Sequence, residues 1–140
     1  MPAVLRPFRV FVLALVLVAG ALVGPSVVAP AAAPHASASV FSTCTVSGCP
    51  AARTALTGWR QLGLPTARNW FAWPFGQYNF SGGQYKNLER ELPAGQTYAE
   101  YDVNPRPRGA ARDAARIIVS RTTGSVWFTP NHYTDFYKIA

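Results

Sequence analysis

The chain has 140 residues, 13 Lys+Arg against 6 Asp+Glu, and two cysteines, which allows one ordinary domain and excludes a multidomain enzyme or a disulfide-dense scaffold. Charged residues at 14% and aromatics at 13% exclude a disordered charged tail and call for a packed core. The formal charge of +7 points to an acidic partner, whether nucleic acid, an anionic surface or an acidic protein.

Residues 1–38 read as a secretory signal peptide. Arg6 and Arg9 form a short positive region, and the uncharged apolar run Val10 to Val23 follows. That run is 14 residues long, against about 20 for a membrane span, and Pro25, Pro30 and Pro34 then interrupt it. Small-x-small sites place cleavage after Ala31 or after Ala38. A cut after Ala38 leaves 102 residues, a charge of +5 and one histidine, His132. A multi-histidine metal site is thereby excluded, and two Cys with one His make a poor zinc set. No metal or other cofactor is expected. The mature chain is expected to be secreted, monomeric and free of the membrane. In an exported chain Cys44 and Cys49 are expected to pair, clipping an N-terminal arm over residues 39–50. The closed loop is short, so the stabilisation is modest, and the spacing is not that of a C-x-x-C redox pair.

Residues 51–140 are expected to form the domain proper. From Pro50 to about Leu62 the spacing predicts a helix, because Leu56, Trp59 and Leu62 recur with helical period and proline is tolerated at the first position. Gly58 weakens the pattern, and Gly63 with Pro65 ends it. Residues 66–83, rich in Trp, Phe, Asn, Gly and Pro, read as an irregular segment. Its rings Trp70, Phe71, Trp73 and Phe75 are expected to cover the core, with base stacking as the alternative. Thr97 to Val103 alternates as a strand, with Tyr98, Glu100 and Asp102 on one face and Ala99, Tyr101 and Val103 on the other. Arg116–Val119 and Val126–Thr129 are further strands joined by a turn at Thr123-Gly124. After a turn at Pro130-Asn131, residues 136–139 form a last short strand. One N-terminal helix packed on a small antiparallel sheet is an α+β fold.

Glu100 and Asp102 share one strand face and would repel unless cations stand opposite, and Arg112 and Arg116 are placed to do so. His132 carries the only imidazole left after leader removal, and imidazole changes charge near neutral pH. A carboxylate, an imidazole and two guanidiniums on one face suit RNA cleavage. A base takes the 2′-hydroxyl proton, an acid protonates the departing 5′-oxygen, and cations hold the charged phosphorane, with no metal required. Surface ion pairs with a structural histidine would use the same residue types.

Four ordered stretches carry a family resemblance: Gly82 to Glu89 with Leu92-Pro93, Tyr98 to Asn104, Gly109 to Ile118, and Phe128 to Tyr133 with Phe136 and Lys138-Ile139. In them the chain resembles the secreted bacterial guanyl-specific ribonucleases, the barnase and ribonuclease Sa group, from about Gly82 to Ile139. The resemblance implies the microbial ribonuclease fold and a guanine-preferring endoribonuclease that works through a 2′,3′-cyclic phosphate. It implies Glu100 as general base, His132 as general acid, Arg112 and Arg116 as catalytic cations, and Tyr133 on the phosphate. It places guanine recognition on Lys86, Asn87, Leu88 and Glu89, with Tyr85 packing near the base, and it makes Asp102 a structural support for the arginines. RNA is the implied partner, and an acidic protein inhibitor would suit the same surface. The alternative is a catalytically weak or inactive domain of the same fold that binds RNA or an acidic protein. Two positions depart from the family pattern: Leu88 stands where arginine is common, and Asn131 where aspartate is common. The sequon Asn79-Phe80-Ser81 is read as a chance match, and Asn104 to Arg108 as a stiff, solvated basic loop.

Overall fold

The computed structural model describes residues 37–140, so the expected leader lies outside the described residues except for Ser37 and Ala38. Among the described residues no helix is long and apolar enough to cross a membrane. The elements are β1 (Ser39–Phe41), α1 (Cys49–Gln61), β2 (Asn69–Ala72), β3 (Tyr78–Tyr85), β4 (Tyr98–Asp102), β5 (Arg116–Ser120), β6 (Val126–Thr129) and β7 (Asp135–Lys138). They form one seven-stranded sheet in the order β1-β7-β6-β5-β4-β3-β2. The class is α+β, with one helix and a mixed sheet among the described residues.

Helix α1 buries Ala52, Ala55, Leu56 and Trp59 against the sheet residues Ala99, Tyr101, Ile117, Val119, Val126 and Phe128. Trp59 is the hub. Its ring meets Trp73 at 5.0 Å and Tyr101 at 4.9 Å, and its Nε1–H donates to the Asp102 carbonyl at 2.9 Å. Gly58, a weak helix former, is explained by that packing, because a Cβ there would overlap the Trp73 ring. The other sheet face carries a second cluster of Leu92, Tyr98, Ile118, Trp127 and Phe136. The alternation read along residues 97–103 therefore sorts β4 onto two faces, both of them covered.

The structure corrects the sequence expectation in three places. Residues 66–83 are not irregular: β2 and β3 pair as an antiparallel hairpin with Trp70 opposite Phe80. Pro74 and Gly76 make its turn, closed by Trp73 N–H to Gln77 O at 3.0 Å, and aromatic residues favour the strands on either side. The sheet is not wholly antiparallel: within the expected arm, Ser39–Phe41 adds β1 in parallel to the free edge of β7. Phe41 stacks on Tyr137 with centroids 4.7 Å apart. Three exposed residues are too short a run for periodicity to reveal. Of the four rings expected to cover the core, Phe71 and Trp73 do so, Trp70 stands outside both core clusters, and Phe75 is 52% exposed. The Cys44–Cys49 disulfide is present, with Cα atoms 5.8 Å apart, and ties the loop after β1 to the first turn of α1.

Candidate active site

Strand β4 brings Glu100 and Asp102 to one sheet face, and β5 sets Arg116 directly across from Asp102. Strand β3 makes room for Glu100. Its register shifts between Ser81 and Gly83, and Gly82 lies so close that a Cβ there would overlap the Glu100 carboxylate. Glu100 is 7% exposed, with both oxygens engaged. Arg112 Nη2 donates to Oε1 at 2.8 Å, and the Tyr133 hydroxyl donates to Oε2.

Asp102 is fully buried and gathers three guanidiniums. Arg112 reaches it through Nε at 3.0 Å and Nη2 at 2.5 Å, Arg106 through Nη2 at 2.6 Å, and Arg116 Nε lies 3.2 Å from Oδ1. Three cations thus face the two carboxylates Glu100 and Asp102, and Asp113 adds a third carboxylate on Arg116 Nη1 at 3.3 Å, so the charges of the cluster balance. Burial works against the charge on Arg112, but hydrogen bonds and attraction from Asp102 and Glu100 outweigh it and push its pKa up. Burial also raises the pKa of Tyr133, and its hydrogen bond to Glu100 adds to this, so the phenol stays a proton donor throughout the physiological range.

His132 and Tyr133 sit on the loop between β6 and β7 with φ of 53° and 70°. Consecutive left-handed residues other than glycine are costly, and the surroundings must hold them. Tyr133 N–H donates to Thr129 Oγ1 at 2.8 Å, and His132 N–H to Ala114 O at 3.1 Å. Asn131 closes the loop: its Nδ2 donates to Asp135 Oδ2 at 2.8 Å, and its Oδ1 accepts from Asp135 N–H at 2.9 Å. The departure from aspartate at this position therefore has a local reason, since a carboxylate would face the Asp135 carboxylate. Asn131→Asp is expected to cost roughly 1 kcal/mol at pH 7 through the lost hydrogen bond. Thermal unfolding at pH 7 should show that deficit. Its absence would contradict this account.

The structure places the His132 ring 4.5 Å from the Tyr133 ring and the Tyr85 ring 5.2 Å from it. Burial, with the charges of Glu89, Glu91 and Glu100, pushes the Tyr85 phenol up to about 12. After Tyr85 the chain forms a tight loop. Asn87, at φ 49°, donates from Nδ2 to Leu92 O at 2.8 Å and accepts the Leu92 N–H at 3.1 Å. Its side chain thus braces the loop, while Lys86, Leu88 and Glu89 are exposed, Leu88 at 74%. The sequence reading brought no role to Gly82, and it left Arg106 in a solvated loop. Instead Arg106 exchanges backbone hydrogen bonds with Tyr78, and its side chain is 12% exposed on Asp102. The signal for Gly82 was the Gly-Gly pair inside an otherwise β-prone run.

A family model described as ribonuclease matches residues 33–140. The chain belongs to the ribonuclease family, of the microbial barnase and ribonuclease Sa type. No curated protein gives a match to it. The ribonuclease is thus an RNA-cleaving endoribonuclease, and RNA is its substrate. Its match takes in the whole sheet, so the hairpin β2–β3 and the parallel strand β1 lie within the family region, beyond the half of the chain where the sequence motifs were recognised.

Proposed function

We propose that this ribonuclease is secreted, prefers guanine, and cleaves single-stranded RNA by metal-independent transesterification through a 2′,3′-cyclic phosphate to 3′-phosphate ends. One observation carries the reading: a buried carboxylate, Glu100, is held between a guanidinium and a phenol, beside three arginines that share Asp102. Glu100 takes the 2′-hydroxyl proton, and the oxygen attacks phosphorus. His132 donates a proton to the leaving 5′-oxygen, and Arg112 and Arg116 hold the developing charge. Both Glu100 oxygens are occupied in the free protein. The Tyr133 hydroxyl therefore transfers from Oε2 to a phosphate oxygen as RNA binds, freeing that oxygen to act as base. The raised Tyr133 pKa supports this, because only the protonated phenol can donate to phosphate.

Guanine recognition is assigned to the Lys86–Glu89 loop, with Glu89 toward the base N–H groups and backbone N–H groups toward its carbonyl. The Asn87 bracing favours a pre-shaped loop, and Leu88 contributes its backbone rather than a charge. Secretion is supported by the leader pattern at residues 1–38 and by the Cys44–Cys49 disulfide. Ala38 packs partly against the second core cluster and donates its N–H to Glu91 Oε1 at 3.0 Å. Processing after Ala31 keeps that contact, and processing after Ala38 removes it.

The test is incubation of the processed protein with a guanine-containing RNA in excess chelator. The expected result is cleavage after G with 2′,3′-cyclic or 3′-phosphate ends. Cleavage that stops with chelator overturns the mechanism, and cleavage without regard to base overturns the recognition loop.

A further inference from the structure

Beyond the catalytic cluster, the same sheet face carries aromatic rings interleaved with guanidiniums. Trp70 on β2 and Phe80 on β3 are cross-strand partners with centroids 5.3 Å apart and planes at 65°. Both are only half-buried, and neither joins either core cluster. Arg112, bound to Glu100, lies 4.7 Å over Phe80. Arg68 lies 5.1 Å over the same ring, and Arg106 lies 4.8 Å over Trp70. The series runs unbroken from Glu100 through Arg112 and Phe80 to Trp70 and Arg106. Arg106 is fixed by Asp102, by Nε to Ala110 O at 3.2 Å and by its backbone bridge to Tyr78. The loop it anchors presents the exposed Arg108 above Tyr78.

We propose that Trp70 and Phe80, with Arg68, Arg106 and Arg108 around them, form a binding subsite for single-stranded RNA beyond the scissile nucleotide pair. It takes one further base by stacking and the adjoining phosphate by the arginines. The proposal rests on the reading of Glu100 as the centre of cleavage. Part-open rings alternating with guanidiniums match the base–phosphate alternation of a single strand. An acidic protein would engage the guanidiniums and leave the rings idle. Continuity with Arg112 gives the strand its path.

The experiment compares kcat/KM on a guanine-containing dinucleotide with that on a single-stranded oligonucleotide carrying one G and several flanking nucleotides. The wild type is expected to favour the longer substrate. Trp70→Leu should lose about tenfold of that preference, mainly in KM, as removal of one base–aromatic stack does. Trp70→Phe should restore most of it. Arg108→Gln, at an exposed position, should lower the preference and flatten its salt dependence. Thermal unfolding checks that each variant is folded. Equal losses on both substrates would make Trp70 a structural prop for Arg106, and an unchanged preference would leave the rings idle, as an acidic-protein surface requires; either overturns the subsite. If the wild type cleaves neither substrate, the cleavage reading itself fails. Binding of the same oligonucleotides with 2′-deoxyguanosine at the cut then still reads the subsite by its dependence on length and on Trp70.

Discussion

Glu100→Ala and His132→Ala are each expected to lower kcat for RNA cleavage by about two decades or more, the span that a positioned general base or acid contributes. The two losses should differ in their side effects. Glu100 is buried, and removing it strands the Tyr133 hydroxyl and one Arg112 contact, while Arg112 keeps Asp102. A modest fall in thermal stability should therefore accompany its loss of activity. His132 is exposed and holds the fold by its backbone N–H to Ala114, which alanine retains, so His132→Ala should unfold near the wild-type temperature. Steady-state kinetics on a guanine-containing dinucleotide, with thermal unfolding alongside, checks both. A kcat loss under threefold in either variant removes that residue from its role. The double variant should lose far less than the product of the single losses, because base and acid serve one step.

Gly82→Ala is expected to be nearly as damaging, although it removes no functional group. The three atoms nearest the new Cβ all belong to the Glu100 side chain, and all three would overlap it. Gly82 has no positive φ, so the backbone tolerates alanine and the whole effect lies in space. Overpacking of this kind costs roughly 1–3 kcal/mol. Displacing Glu100 by about an ångström is expected to reduce kcat about hundredfold. A double-mutant cycle separates the two effects: in a Glu100→Ala background the stability cost of Gly82→Ala should disappear. A cost that persists there would mean that β3 itself, and not the carboxylate, resists the methyl group.

The helix and the central strands were legible because their patterns are periodic. Leu56 and Trp59 mark the buried face of α1, and the alternation along residues 97–103 divides β4 correctly between the two faces. The hairpin β2–β3 was hidden by its own punctuation. Pro74 and Gly76 read as breakers, and they are, but only over the short turn they occupy between Ala72 and Tyr78. Glu100, Asp102, Arg112, Arg116 and His132 could be grouped from residue type and spacing, and Tyr133 only from the family resemblance; the structure joins the two carboxylates, the two arginines and Tyr133 directly, with the His132 ring beside Tyr133. Arg106 was missed because its role depends on a bridge to Tyr78, 28 positions earlier in the chain. The left-handed backbone at His132 and Tyr133 was equally hidden, since histidine adopts it only occasionally and tyrosine rarely, and the bonds of Thr129, Asn131 and Ala114 enforce it.

The parallel pairing of β1 with β7 has a consequence for the order of folding. Ser39 N–H donates to Thr134 O, so the first strand grips the loop that carries His132. Contacts between such distant parts of a chain form late, after the loop-closure entropy has been met. The loop that carries His132 is therefore expected to settle among the last parts of the fold, in the same step that seats β1 on the sheet edge.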